Sequence, residues 1–308
     1  MQFIYSGKNI TNDVKIMQAD IRDTAGGEAD SIEICLSDAE NLWREWSPSK
    51  GDVMELKQAG FSSGVMYVDY LQDIPGKFIL KGRSTPPGAK IERMKTWENV
   101  RFMQPVNDIA QTYGFSVSTH SITDWLYDRL DQMDTTDFQF LASRCMLEGY
   151  CLKITNKKLT IYDEKILEKA ASILTLYEQD LIGEYNLQSC SEGLFSWCLI
   201  RYVDTSNALI TYQFNPAGAP KGPGLKPEIR AASLAEAQRY AAGLLRYKNK
   251  WETYGDITIY LNMDLAAGNT LTLIGMGWFS GKYFIHHCVH KLLAGQTRLR
   301  IRKVLEGY

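Results

Sequence analysis

Period-two alternation of apolar and polar side chains fills both ends of this 308-residue chain, and it restricts the molecule to folds built on β-sheet. Within Ala29 to Asp38, Ile32, Ile34 and Leu36 fall on one face and Ser31, Glu33 and Cys35 on the other, the pattern of a half-buried strand. Lys50-Gly51-Asp52 is a turn, after which Val53, Glu55 and Lys57 alternate with Met54, Leu56 and Gln58. Gly60 to Gly64 and Pro75-Gly76 punctuate two further runs, Gly64 to Leu71 and Lys77 to Gly82. Several short strands at roughly ten-residue spacing predict a small barrel or sandwich over residues 1–83.

Ser84-Thr85-Pro86-Pro87-Gly88 breaks this pattern, and residues 84–170 read as a small α/β unit. Val106, Ile109, Ala110 and Tyr113 stand at helical spacing, with Pro105 in the first turn and Gly114 as the stop. A second helix is expected over Asp137 to Glu148, with Thr136 as N-cap, an apolar stripe of Phe138, Leu141, Ala142 and Cys145, and Gly149 ending it. Two short strands follow, Tyr150 to Thr155 and Leu159 to Tyr162.

Strand patterns return over residues 171–308: Ser172 to Tyr177, Leu181 to Ser189, Phe195 to Val203, Ala208 to Phe214, Tyr254 to Asn262, Thr270 to Ile274, Lys282 to Leu293 and Thr297 to Leu305. They predict a second β-barrel. One helix interrupts them at 234–249, with Ser233 as cap and Glu236 completing a capping box, and it is expected to pack on that barrel. Asn215 to Pro227 holds four of the nine prolines, and is expected to be a mobile arm that a neighbouring subunit orders. The fold class expected is therefore α+β, mostly β: two small β-barrels with a small α/β domain between them.

Charge and composition exclude several functions. Lys and Arg number 34 against 36 Asp and Glu, which does not indicate a nucleic-acid surface. No apolar run reaches about 18 residues, so no membrane-spanning helix is expected, and the start lacks a secretory signal. Cys35, Cys145, Cys151, Cys190, Cys198 and Cys288 form neither a zinc ribbon nor a disulfide framework. They read as free thiols in a reducing cytoplasm.

Candidate chemistry is thin. In a regular strand His286, Cys288 and His290 share a face, but at about 3.3 Å rise per residue the outer two lie some 13 Å apart, too far for one ion. His287 completes the group, and no HExxH is present. Asp128, Asp131, Asp134 and Asp137 stand near helical spacing and read as a solvated face or a helix-entry charge cluster. Gly275-Met276-Gly277-Trp278 lacks the third glycine and the helix of a dinucleotide site. Cys145 and Cys151 lack a nearby histidine in the sequence. Trp43, Trp46, Trp97, Trp125, Trp197, Trp251 and Trp278 are expected to be mostly core, with some available to anchor an interface. No catalytic, cofactor-binding or metal-ligating residue is assigned, and no cofactor or enzymatic activity is expected.

The most specific text is C-terminal: Ser233 to Ala241, Leu244-Leu245-Arg246, Asn249-Lys250, Asn269 to Leu273, Gly281 to Ile285, Val289-His290-Lys291 and Thr297 to Ile301. It resembles the phage late control D family, the hubs of contractile-tail baseplates, especially those of defective prophages and phage-tail-like bacteriocins. Ala29 to Ile34, Trp46 and Lys50-Gly51-Asp52 look like the family's first barrel, and Asp134 to Asp163 like its middle unit.

The resemblance implies a homotrimer with two tube-protein-like barrels per protomer around an α/β insertion. Such a ring matches a hexameric tail tube on one side and a trimeric spike on the other. Implied partners are the tail tube or tube-initiator protein, the central spike, the tape-measure protein and the baseplate wedge, with no nucleic acid and no membrane. The implied place is the baseplate of a virion or phage-tail-like particle assembled in the bacterial cytoplasm. The chain stops at Tyr308, so no attached spike or hydrolase is expected. Two other readings stay open: a tail-associated cell-wall hydrolase, and a carbohydrate- or receptor-binding module.

Overall fold

The computed structural model describes residues 1–203 and 207–308. The N-terminal segment forms β1 (Gln2–Tyr5), β2 (Lys8–Asn9), β3 (Ile16–Thr24), β4 (Ser31–Asp38), α1 (Leu42–Trp46), β5 (Val53–Gln58), β6 (Phe61–Ser62), β7 (Met66–Ile74) and β8 (Gly76–Arg83). The middle holds β9 (Glu92–Arg101), α2 (Met103–Thr112), β10 (Ser116–His120), β11 (Leu126–Thr136), α3 (Asp137–Glu148), β12 (Tyr150–Thr155), β13 (Lys158–Asp163) and α4 (Glu164–Lys169). There follow β14 (Leu174–Tyr177), β15 (Asn186–Ser189), β16 (Trp197–Val203), β17 (Leu209–Phe214), β18 (Gly224–Leu225), α5 (Leu234–Asn249), β19 (Thr253–Tyr260), β20 (Thr270–Ile274), β21 (Gly281–Lys291) and β22 (Gln296–Lys303). The class is α+β, mostly β.

The two β-rich ends share one sheet, and this corrects the expectation of two separate closed barrels. The pairing order runs β15-β19-β22-β21-β3-β4-β8-β7-β5-β1-β2, and it closes neither end on itself. The edge of β3 is the reason. Its backbone groups need partners, and β21 supplies them, from His287 opposite Thr24 to Lys291 opposite Asp20. Each half still covers its own apolar core. Phe3, Ile21, Ile34, Leu56 and Leu80 fill one, with Leu292 reaching in from the far end of the chain, and Ile257, Leu271, Tyr283, Leu299 and Ile301 fill the other.

A third and larger core lies in the middle. The sheet β10-β13-β12 packs with α2 and α3 around Phe138, Leu141, Leu152 and Ile161. Helix α5 joins this core through Ala237, Tyr240, Ala241, Leu244 and Leu245, and packs on α3, β16 and β17. It thus lies on β16 and β17, two of the strands expected in the second β-rich part, but these strands and the helix share the middle core. Its apolar stripe is matched by Cys198 and Ile200 of β16, which belong to the middle core.

Local signals act as the letters suggest. Thr136 accepts from the Gln139 amide at 3.4 Å, and Gln139 returns the bond to the Thr136 amide at 3.2 Å, a full capping box. Gly149 closes α3 at φ +76°, where a side chain would be strained. Thr136→Ala is expected to cost about 1 kcal/mol in chemical denaturation. At α5, Ser233 caps the Glu236 amide, but the Glu236 carboxylate bonds the Ala232 N–H, one residue earlier than a capping box requires.

Three other expectations change. The stretch 181–189 is strand only at Asn186–Ser189. Asn215 to Pro227 docks on its own chain: β18 pairs in parallel with Trp197 and Cys198, and the Ser196 amide donates to the Pro223 carbonyl at 3.0 Å. Gly224 permits this, since a Cβ there would lie 2.1 Å from the Trp197 ring. The aspartates at 128, 131 and 134 lie on strand β11, not on a helix face, and Asp137 opens α3. Strand β11 pairs with β9 as a long ribbon whose Tyr127, Leu130 and Trp97 turn inward. Trp97 stacks on Phe140 with ring centroids 5.2 Å apart.

Candidate functional site

The feature that spans both ends of the chain is the polar face of the shared sheet. Period-two alternation sends Ile257, Leu299, Cys288, Ile21, Ile32 and Leu80 inward, so their neighbours face out. The registers then align these outward residues in rungs. One runs Thr258–Arg298–Val289–Arg22–Ser31–Arg83, and the next Tyr260–Gln296–Lys291–Asp20–Glu33–Lys81. Val289 is the one aliphatic side chain among these twelve.

Charges on this face are mostly paired. Lys81 and Glu33 stand directly opposite at 2.8 Å, Arg83 meets Asp69 at 3.0 Å, and Arg22 meets Glu28 at 3.0 Å. Arg300 and Arg298 both reach Asp256, at 2.5 and 3.7 Å. Such half-exposed pairs contribute at most about 1 kcal/mol each, so their effect is on surface character more than on stability. Burial raises the Asp20 carboxyl above its usual range, with Gln18 and Lys291 opposing the rise. The face floors two grooves, of about 960 Å³ on the N-terminal half and about 570 Å³ on the C-terminal half.

The histidines do not gather. A bulge at His286 shifts the register of β21, so the same-face expectation fails. Beyond the bulge, Cys288 and His290 turn inward with their side chains 3.4 Å apart, and His290 also meets the Leu265 carbonyl and the Thr297 hydroxyl. His286 packs edge-on to Trp251 and lies beside His287, whose Nδ1 is 3.2 Å from Arg22. Among the described residues no group of three or more His, Cys, Asp or Glu is placed to hold a metal.

Cys145 and Cys151 are the reverse of activated nucleophiles. Burial raises Cys145 well above the ordinary thiol range, and pushes Cys151 up to about 12. Gly275 to Trp278 leads into a short 3₁₀ turn between β20 and β21. Of the tryptophans, Trp46 and Trp278 are exposed, at 50% and 66%, while Trp43 and Trp97 are buried.

One cluster escaped the sequence reading. Glu164 and Glu168 of α4, Arg246 and Lys250 at the end of α5, and Arg302 of β22 are all buried together. Lys250 pairs with Glu164 at 3.0 Å, Arg302 reaches Glu164 at 3.0 Å and Glu168 at 2.5 Å, and Arg246 bonds Glu168. The spacing of Glu164 to Glu168, and of Arg246 to Lys250, is one helical turn and was available as a signal. The cluster joins the middle unit to the shared sheet.

Solved structures share the fold of this chain. A tail protein from Neisseria meningitidis MC58 superimposes at TM-score 0.77 and 14% identity, covering 98% of this chain and 95% of that one. The 43 kDa tail protein of prophage MuSo2 from Shewanella oneidensis does so at 0.76 and 12%, covering 98% and 97%. An E. coli component of the type VI secretion system, described as similar to the T4 tail proteins gp27 and gp5, matches at 0.59 and 10%, covering 96% and 76%. No protein-family model and no curated protein sequence matches. The chain has the fold of these phage-tail and secretion-system proteins along nearly its whole length.

Proposed function

We propose that this chain is a baseplate hub of the late control D kind, a homotrimeric adapter joining a hexameric tail tube to a trimeric central spike in a contractile phage-tail-like particle. The observation that carries this reading is the end-to-end likeness to solved tail proteins. The shared sheet supports it. Residues 1–83 form a β-rich part around one apolar core, and β14, β15 and β19 to β22 form a second around another, while β16, β17 and α5 join residues 84–170 in a third. Three protomers then place six β-rich parts of the first two kinds around one axis.

In this reading the charged face of the sheet lines the channel. Paired charges leave little apolar area on which a threaded tape-measure chain would stick. Trp46, Trp278 and Tyr260 are exposed and would be available to neighbouring protomers, the tube or tube initiator, and the wedge. The hub role requires no catalysis, and assembly takes place in the bacterial cytoplasm.

Cryo-electron microscopy of the assembled particle tests this. Three copies on the axis, between tube and spike, are expected. Six copies, or a peripheral position, would refute the hub. A clearing zone in a cell-wall zymogram with the purified chain would favour a hydrolase instead.

A further inference from the structure

We propose that the open edge of β16 takes an extended, acidic segment of another protein as an added strand, laid in the groove between β16 and residues 226–230. The proposal rests on this edge alone and is independent of the hub reading. The small sheet runs β17-β16-β18. Its inward face, with Cys198, Ile200, Ile210 and Tyr212, is covered by α5 and the middle core. On the β18 side, pairing lasts only from Trp197 opposite Gly224 to Cys198 opposite Leu225. Pro227 follows, and it has no N–H with which to continue a ladder.

Beyond that point the edge of β16 is uncovered. The Ser196 amide donates to the Pro223 carbonyl on this side at 3.0 Å. Strand β16 pairs with β17 in unbroken register from Cys198 to Val203, and the backbone groups of alternate residues point to the same edge. Those of Ile200 and Tyr202 therefore face away from β17, and among the described residues no hydrogen-bond partner meets them there. A groove of about 460 Å³ follows this edge, walled by Leu199, Arg201 and Tyr202 on one side and by residues 226–230 on the other. An unpaired edge of this kind is a template for a further strand, and β18 already occupies the same side two residues earlier.

Charge selects the partner. The groove sets Arg201, Lys226 and Arg230 against Glu228. Arg230 also meets Asp131 at 3.6 Å, but that carboxylate is held at 2.8 Å by Arg129 of its own strand. Arg201 and Lys226 are exposed and form no ion pair among the described residues, in contrast to the paired charges of the shared sheet. Lys226 lies over the Trp197 ring, 5.5 Å from its centre. An incoming strand pairs its main chain with Ile200 and Tyr202. Carboxylates at every second position then meet Arg201 and Lys226, which fixes both the mode and the sign of recognition.

The test adds fluorescein-labelled pools of seven-residue peptides, alternating Asp or Glu with Val, Ile or Thr, to the full-length protein. Anisotropy reads binding, and hydrogen exchange reads the backbone at residues 199–202. Saturable binding is expected, with slowed exchange at Ile200 and Tyr202. A pool with proline at its centre keeps the charge but cannot complete the ladder, and should bind roughly tenfold more weakly. The double variant Arg201→Glu with Lys226→Glu should lose roughly tenfold for the acidic pool and gain affinity for a Lys/Arg pool of the same pattern. A misfolded variant would show no such gain. Unchanged exchange at Ile200 and Tyr202 in millimolar peptide overturns the proposal. So does equal binding of the proline-containing pool, or of the basic pool, by the wild type. Slowed exchange at this edge that rises with protein concentration alone, together with a dimer in sedimentation, would assign the edge to a second copy of the chain and overturn the acidic partner.

Discussion

Arg302→Met is expected to lower the free energy of unfolding by about 3–5 kcal/mol, the usual cost of removing one partner from a buried ion network. Arg302 is fully buried, and its guanidinium holds both Glu164 and Glu168. Methionine fills the volume but leaves two carboxylates sharing the charges of Lys250 and Arg246 alone. Lys8→Ala is the contrasting control. Lys8 faces Asp13 at 3.8 Å, both exposed, and its loss should change stability by less than about 0.5 kcal/mol. Urea denaturation of the two variants measures both. Equal, small effects would mean that the cluster is not the joint it is taken to be here.

The same cluster sets the response to acid. Burial raises the Glu164 carboxyl, but Arg302 and then Lys250 outweigh it and hold the group well below the usual range. A depressed carboxylate contributes stability that is complete above its unfolded pKa, near 4.3, and is lost as pH falls through that value toward the folded one. His286, held down to about 3 from 6.5, acts in the same direction but starts earlier, below about pH 6.5, as the unfolded chain takes up the proton first. Stability should therefore decline in two stages between pH 7 and pH 3. In Arg302→Met the first stage should shrink, because one of the cations depressing His286 is gone.

Features decided within a few residues were legible in the sequence. Thr136 and Gln139, Ser233, and Gly149 mark helix ends through bonds to adjacent amides, so α3 and α5 lie where the letters place them. Alternation in Ser31 to Leu36 likewise gave the inward face of β4. Alternation says which way a side chain points and nothing about which strand lies alongside. The union of β3 with β21 joins residues 20–24 to residues 287–291, and no local pattern announces it. The charged rungs depend on that register, so Lys291 beside Asp20, or Arg22 beside Val289, was hidden until the sheet was seen. Ribbon β9–β11 was missed for a different reason. It is exposed over most of both faces, so it carries little alternation, and its aspartates at spacing three imitate a helix. The buried cluster was visible only as two like-charged pairs one turn apart, a pattern that more often marks a solvated helix face.

Gly243→Ala separates these two levels by its sign. Inside an open helix the change would stabilise by about 1 kcal/mol, because glycine is the poorer helix former. Helix α5 is not open at this point. A Cβ on residue 243 would lie 2.5 Å from the Leu147 carbonyl oxygen and 2.9 Å from both the Gly149 nitrogen and the Met146 oxygen. These are backbone atoms of the α3 terminus, fixed by its closing turn, in which the Gly149 amide donates to Met146. They cannot rotate away as a side chain would, so the helices must separate. That movement loosens the contacts of Tyr240 and Leu244 with the middle core. Overpacking of this kind costs about 1–3 kcal/mol or more, which exceeds the gain in propensity. The variant is therefore expected to be less stable than wild type by about 2 kcal/mol, with weakened near-ultraviolet circular dichroism. The neighbouring Ala242→Gly should lose about 1 kcal/mol through propensity alone. A stabilised Gly243→Ala would mean that α5 does not cross α3 at this distance, and the seat of the helix in the middle core would have to be redrawn.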